Sequence, residues 1–278
     1  MALGISTHSF ALWPLCGRHF ELVRDAGFTG VEVWAMAPHV EIEIAGAVAY
    51  WMDAARRAGL DILSVHLPFY RRYGAPDFRY LNLGDTDRDA AKEASNLAMR
   101  CLAQAGHCGA KIAVLHGIGN CAGDEDEKIR LFIEDLEPIV DMAARCGVTI
   151  ALENIMTPMS TAIDLARIVD RFATPHLKAC LDVGHANVNE HVFGAVTRLG
   201  ERIVSVHVHD NHGESDEHLL PGDGTIDWET TVDALRRYGD PNLILETRWP
   251  MAGDEIDEGV FRTHLAAARE RMRVVFGG

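Results

Sequence analysis

Six short apolar runs in this chain each end on a side chain that can bind a divalent metal. They are Leu63-Ser64-Val65-His66, Ala113-Val114-Leu115-His116, Ile150-Ala151-Leu152-Glu153, Ala179-Cys180-Leu181-Asp182, Ile203-Val204-Ser205-Val206-His207 and Leu243-Ile244-Leu245-Glu246. A single strand-end His is usually a hydrogen-bonded structural residue, and a single Asp or Glu there usually caps the next helix. Six such endings in one chain point to neighbouring strands that deliver ligands to a common point. Glu153, Asp182 and Glu246 brought together would repel and raise one another's pKa unless a cation neutralised them. A divalent metal with mixed carboxylate and imidazole ligands resolves that conflict. Glu153, Asp182, His207 and Glu246 close the fifth to eighth predicted strands and can converge as a four-ligand site. Oxygen donors with one imidazole suit Mn²⁺, Mg²⁺, Co²⁺ or Zn²⁺ without choosing among them. His66 and His116 lie on the neighbouring arc. His185, Asp216 and His218 are further candidates, either for additional metals or for hydrogen bonds to a polyol, whereas His8, His209 and His212 could each line the pocket but are read first as packing or surface residues.

The elements that must position these side chains alternate along the chain. Strands are predicted at 3–8, 30–34, 61–66, 111–116, 148–153, 177–182, 202–207 and 242–246, with amphipathic helical stretches such as 89–105, 127–145, 161–171 and 228–238 between them. In the second of these stretches, Ile129, Phe132, Ile133, Leu136, Ile139, Val140 and Ala143 recur at helical spacing. Gly27, Gly59 and Gly147 each stand just before a strand, as expected of left-handed helix C-caps. Eight strands and eight helices without an antiparallel hairpin signal, and without a Gly-rich first turn, predict an α/β fold: one (β/α)8 TIM barrel domain spanning 1–278. Strand parity agrees, because Val148, Ile150 and Leu152 share one face while Thr149, Ala151 and Glu153 share the other. The chelating residue sits on the less apolar face at the C-terminal tip, where barrel enzymes hold their active sites.

Composition narrows the function. A chain of 278 residues with 48% apolar content supports a full core, and no stretch approaches the roughly 20 apolar residues needed to span a bilayer. The first residues lack a charged n-region and a long apolar segment, so a cytoplasmic protein is expected. Net charge is −15, with 41 acidic against 26 basic residues, which weighs against nucleic acid as a partner. The six cysteines (Cys16, Cys101, Cys108, Cys121, Cys146 and Cys180) contain no CxxC pair and read as scattered free thiols.

Taken together, several motifs resemble the xylose isomerase-like TIM barrels, which group sugar isomerases and epimerases with endonuclease IV (AP endonuclease family 2). They are Gly30-Val31-Glu32-Val33-Trp34, Val65-His66-Leu67-Pro68-Phe69, Ala151-Leu152-Glu153-Asn154, Leu181-Asp182-Val183-Gly184-His185, His207-Val208-His209-Asp210 and Pro221-Gly222-Asp223-Gly224-Thr225-Ile226-Asp227-Trp228. The resemblance covers essentially the whole chain and implies metal binding by Glu153, Asp182, His207 and Glu246. It also implies a homodimer or homotetramer. In endonuclease IV-like members, a three-zinc cluster uses the positions matching His66, His116, Glu153, Asp182, His185, His207, Asp216, His218 and Glu246, and all nine residue types are present here.

Two chemistries follow. In the first, a sugar or sugar-phosphate isomerase or epimerase of carbohydrate metabolism, the metal stabilises an enediolate while Glu153 and Glu246 act as the acid/base pair. His66, His116 and His185 then contact the substrate, and an inosose-type dehydratase would use the same proton chemistry. The stretch 211–217 lacks the Arg that ketose 3-epimerases of the family carry soon after the seventh-strand His, so the resemblance reaches the class rather than that substrate. In the second, clustered metals hydrolyse a phosphodiester of abasic DNA. Its support is the loop Phe69-Tyr70-Arg71-Arg72-Tyr73 with Phe78-Arg79-Tyr80, whose aromatics beside arginines could wedge into a duplex. A lid over a small polar substrate is the favoured reading of that loop, because a wedge needs a wider basic track. A non-catalytic sugar-binding barrel would be expected to lose some of the carboxylates, and none is missing.

Overall fold

A computed structural model describes residues 1–11, 13–75, 79–120, 123–247 and 258–277. Eight parallel strands close into a barrel in sequence order: β1 (Leu3–Ser6), β2 (Gly30–Trp34), β3 (Asp61–His66), β4 (Ile112–His116), β5 (Thr149–Glu153), β6 (Leu177–Asp182), β7 (Ile203–Val208) and β8 (Asn242–Leu245). Pairing of β1 with β8 completes the ring. The helices are α1 (Gly17–Asp25), α2 (Ala47–Arg57), α3 (Arg88–His107), α4 (Glu125–Cys146), α5 (Ala162–Phe172), α6 (Val183–Asn189), α7 (Val192–Leu199), α8 (Trp228–Tyr238) and α9 (Glu258–Phe276).

The predicted parity holds. Val148, Ile150 and Leu152 belong to the large core between strands and helices, while Ala151 packs inside the barrel with Val114 and Cys180. The period-two alternation of β5 therefore sends Glu153 inward. Gly27, Gly59 and Gly147 all have positive φ, as helix-ending glycines should. The floor of the barrel uses a device that pattern alone does not reveal. A register shift opposite Val31 and Glu32 leaves Leu63 unpaired on β3, and its side chain lies where Cβ atoms on Gly4 and Gly30 would stand, 2.6 Å from either.

Three expectations are corrected. The first strand stops at Ser6 rather than at 8, because the Ser6 side chain accepts a hydrogen bond from the His8 amide and caps a 3-10 turn over Thr7–Phe10. The connection after β6 holds two helices, α6 and α7, where one was expected, so the described residues contain nine α-helices in place of eight. The eighth strand ends at Leu245, one residue before Glu246.

Candidate active site

The C-terminal strand tips bring the four-ligand set together. His207 Nδ1 lies 3.1 Å from Glu246 Oε2, 3.2 Å from Glu153 Oε1 and 3.8 Å from Asp182 Oδ2. One donor atom from each of the four residues lies within 4.8 Å of all the others. All four side chains are buried. Three buried carboxylates converging on one imidazole nitrogen make the environment a divalent cation requires, and the donor types fit Mn²⁺, Mg²⁺, Co²⁺ or Zn²⁺. Burial by itself would push the Glu153 carboxyl up. The charge of His207 and His116, with hydrogen bonds from His207 and His66, holds it well below the carboxylate range instead. Glu246 is likewise held low against burial, chiefly by His207. Reciprocally, His207 is held well above the ordinary histidine value.

The outer residues join this cluster by its edges. His66 Nε2 stands 3.1 Å and His116 Nε2 3.5 Å from Glu153 Oε2, the oxygen turned away from His207. Phe69 stacks on the His116 ring at 3.7 Å, and burial pushes the pKa of that ring down to about 3. His185 donates from Nδ1 to the Asn154 carbonyl at 2.9 Å, with its Nε2 3.9 Å from Asp216 Oδ2. Asp216 also meets His218 Nε2 at 2.8 Å, while His218 Nδ1 donates to the Glu246 carbonyl at 2.7 Å. Every candidate ligand named from the sequence is therefore part of one continuous network.

Two residues read as packing or surface groups belong to the site. His8 lines the cavity, with Nδ1 3.4 Å from Glu246 Oε1. His209 is fully buried, with Nε2 3.0 Å from Asp182 Oδ1, and its ring stacks on His218 at 4.3 Å. His212 does lie at the surface, against Glu217. Glu32, Asn154 and Asp210 were not picked out individually. Glu32 is buried inside the barrel, 3.3 Å from His207 Nε2. Asn154 clamps the Asp182 main chain, donating from Nδ2 to its carbonyl at 2.9 Å and accepting its amide at 2.8 Å.

Local chemistry explains the motifs around these groups. The side chain of Asp182 caps α6 by accepting the His185 amide at 2.7 Å. A Cβ on Gly184 would lie 1.9 Å from the His209 ring, so only glycine leaves room for that imidazole. Asp210 accepts from the amides of Asn211, Gly222 and Ile226 and from Trp228 Nε1 at 2.8–3.2 Å. This one buried carboxylate folds the 210–228 segment back on itself and so fixes Asp216 and His218. The signal was the Asp-to-Trp spacing of the loop motif, which shows its meaning only once Trp228 is seen to reach Asp210.

The cluster floors a cavity of about 350 Å³ walled by Trp34, Phe69, Tyr70, Tyr73 and Tyr80, with Asn82, Asn120 and Thr157 adding polar groups. No Arg or Lys lines it among the described residues. Arg71 and Arg79 both pair with Glu93, and Arg72 pairs with Glu41. These arginines pair with the protein's own carboxylates, Arg71 and Arg79 sharing one, outside the cavity. Phe78, part of the same sequence motif, lies outside the described residues.

A closed parallel barrel with a carboxylate–imidazole cluster at its C-terminal mouth is the class that fold and site define. Residues 20–271 match the model of the xylose isomerase-like TIM barrel family, and the chain belongs to that family. It is 29% identical over 282 residues to the uncharacterised protein y4fM of Sinorhizobium fredii, covering 91% of this chain and 88% of that one. It is also 29% identical over 112 residues to a D-psicose 3-epimerase of Enterocloster bolteae, covering 37% of this chain and 35% of that one. Among solved structures, a D-tagatose 3-epimerase-like protein superposes with a TM-score of 0.78 at 23% identity, covering 99% and 98% of the two chains, and shares the fold. No helix among the described residues is long and apolar enough to cross a membrane.

Proposed function

We infer that the protein is a divalent-metal-dependent isomerase or epimerase acting on a sugar, a sugar phosphate or a related polyol. The observation that carries this reading is the placement of Glu153 and Glu246. Each turns one oxygen toward His207 Nδ1 and the other toward a different histidine: Glu153 Oε2 toward His66 and His116, Glu246 Oε1 toward His8. Two carboxylates facing a small cavity from different sides are the arrangement that removing and returning a proton needs. The partial similarity to a D-psicose 3-epimerase supports the same class.

Glu153, Asp182, His207 and Glu246 would hold the cation, which when bound supplies positive charge beside the substrate carbonyl and its neighbouring hydroxyl. One glutamate removes the proton from the carbon next to the carbonyl. The other returns it, at the same carbon for epimerisation or at the adjacent one for isomerisation. His66, His116 and His185 hydrogen-bond the hydroxyls, while the rings of Trp34, Phe69 and Tyr70 cover the apolar C–H face of the sugar and exclude water. His66, His116, His185, Asp216 and His218 also stand as the candidate ligands for further cations. The internal pairing of Arg71, Arg72 and Arg79 favours a wall over a small substrate rather than a duplex wedge. The reading includes a cytoplasmic setting and a homodimeric or homotetrameric assembly.

The test is solvent exchange in D2O with Mn²⁺ or Co²⁺ and a panel of free and phosphorylated ketoses with an inosose. Metal-dependent uptake of deuterium at a carbon next to the carbonyl, followed by NMR, is the expected result. Elimination of water from the inosose alone would make the protein a lyase. No exchange with any member, together with cleavage of an abasic duplex, would overturn the reading.

A further inference from the structure

We propose that Glu32 is the positioning residue of the metal centre, holding the His207 ring in the one tautomer that can ligate through Nδ1. The proposal rests on the four-ligand reading above and concerns a residue outside that set. Glu32 lies on β2, across the barrel from β7, and has no exposed surface. A buried carboxylate is costly unless its oxygens are satisfied. Here three elements supply donors: Ser6 Oγ to Oε1 at 3.1 Å, Ser64 Oγ to Oε2 at 2.6 Å, and His207 Nε2 to Oε2 at 3.3 Å. The two serines come from the strands on either side of β2 and fix the carboxylate from both flanks.

An imidazole has two nitrogens, and the hydrogen bond at one decides the role of the other. Glu32 only accepts, so the nitrogen facing it must carry the proton. When a cation takes the place of the proton that Nδ1 shares with Glu153 and Glu246, the Nδ1 lone pair is the one directed at the space these residues share with Asp182. Without Glu32, those three carboxylates would equally draw a proton onto Nδ1, and a protonated Nδ1 cannot ligate. The register shift that leaves Leu63 unpaired is also what sets Ser64 beside Glu32. The bulge therefore has a consequence for the centre as well as for the barrel floor.

Outer residues of this kind change metal affinity by roughly 10–100-fold. The experiment is a chelator-competition titration with Co²⁺ on the wild type, Glu32→Gln and Glu32→Ala, with thermal unfolding as a control for folding. Nitrogen-15 NMR of the Zn²⁺-loaded wild type would read the His207 tautomer directly. The expected results are a roughly tenfold weaker site in Glu32→Gln, a loss approaching 100-fold in Glu32→Ala, an altered Co²⁺ visible spectrum in both, and a proton on His207 Nε2 in the wild type. Folded variants that bind Co²⁺ within twofold of the wild type, or a wild-type His207 protonated at Nδ1, would overturn the role of Glu32 alone. A wild type that binds neither ion would overturn the reading of the centre itself. The wild-type NMR result decides the question even where a variant does not fold.

Discussion

Glu153 and Glu246 contribute to the site through oxygens with different neighbours, and that is why a small change at either should be decisive. On the proposed mechanism, Glu153→Gln and Glu246→Gln would keep shape but remove both an acid/base group and a ligand charge. Each should lower turnover by at least roughly 10²–10⁴-fold in a deuterium-exchange assay, and retained exchange would remove that residue from the mechanism. Away from the centre, His19 offers a pH prediction. Its ring is buried, stacks on Phe10 and accepts the Cys16 amide at Nδ1, and burial lowers its pKa to about 4 from 6.5. Between about pH 4 and 6.5 the unfolded chain binds a proton that the native ring refuses. Stability from this group is therefore complete above about 6.5, falls as pH drops through the window, and levels off below about 4, a loss of roughly 3 kcal/mol. Urea unfolding at pH 7.5 and pH 5 should show a smaller pH-dependent loss in His19→Gln than in the wild type. Equal losses would contradict this account.

The elements that carry these residues are built around a few buried polar anchors. Trp228→Phe removes one donor from Asp210 while keeping the ring against Phe276, so it should cost about 1.5–3 kcal/mol in denaturant unfolding. Gly184→Ala should be worse than an ordinary helix substitution, because the added Cβ meets the His209 ring and must displace it from Asp182. A Gly184→Ala protein as stable as the wild type would show that the ring has room to move. Much of this level was legible in the sequence, and the reason is periodicity. A strand that alternates and ends on an ionisable group announces both its inward face and its tip, which is how Glu153, Asp182 and His207 could be placed on one rim. Glu32, His8 and His209 follow a different logic. Glu32 depends on serines from two other strands and His209 on a missing Cβ at Gly184. His8 depends on the 3-10 turn that ends β1 early and directs it into the cavity. Each is a meeting of distant segments that no local pattern encodes.

At the scale of the whole molecule, the barrel concentrates negative charge at its mouth, where Glu153, Asp182, Asp216 and Glu246 gather, on a chain of net charge −15. Binding of a cation there should therefore couple to global stability. Prolonged EDTA treatment should lower the melting temperature and abolish exchange activity, and adding Mn²⁺ or Co²⁺ should restore both. Metal at 100 times its dissociation constant adds about 2.7 kcal/mol to the folded state. The most direct test is a crystal structure of Mn²⁺-loaded protein with anomalous scattering. A single strong peak ligated by Glu153, Asp182, His207 and Glu246 together is expected. A peak held only by His209, Asp216 and His218, or no peak at all in active protein, would contradict the account.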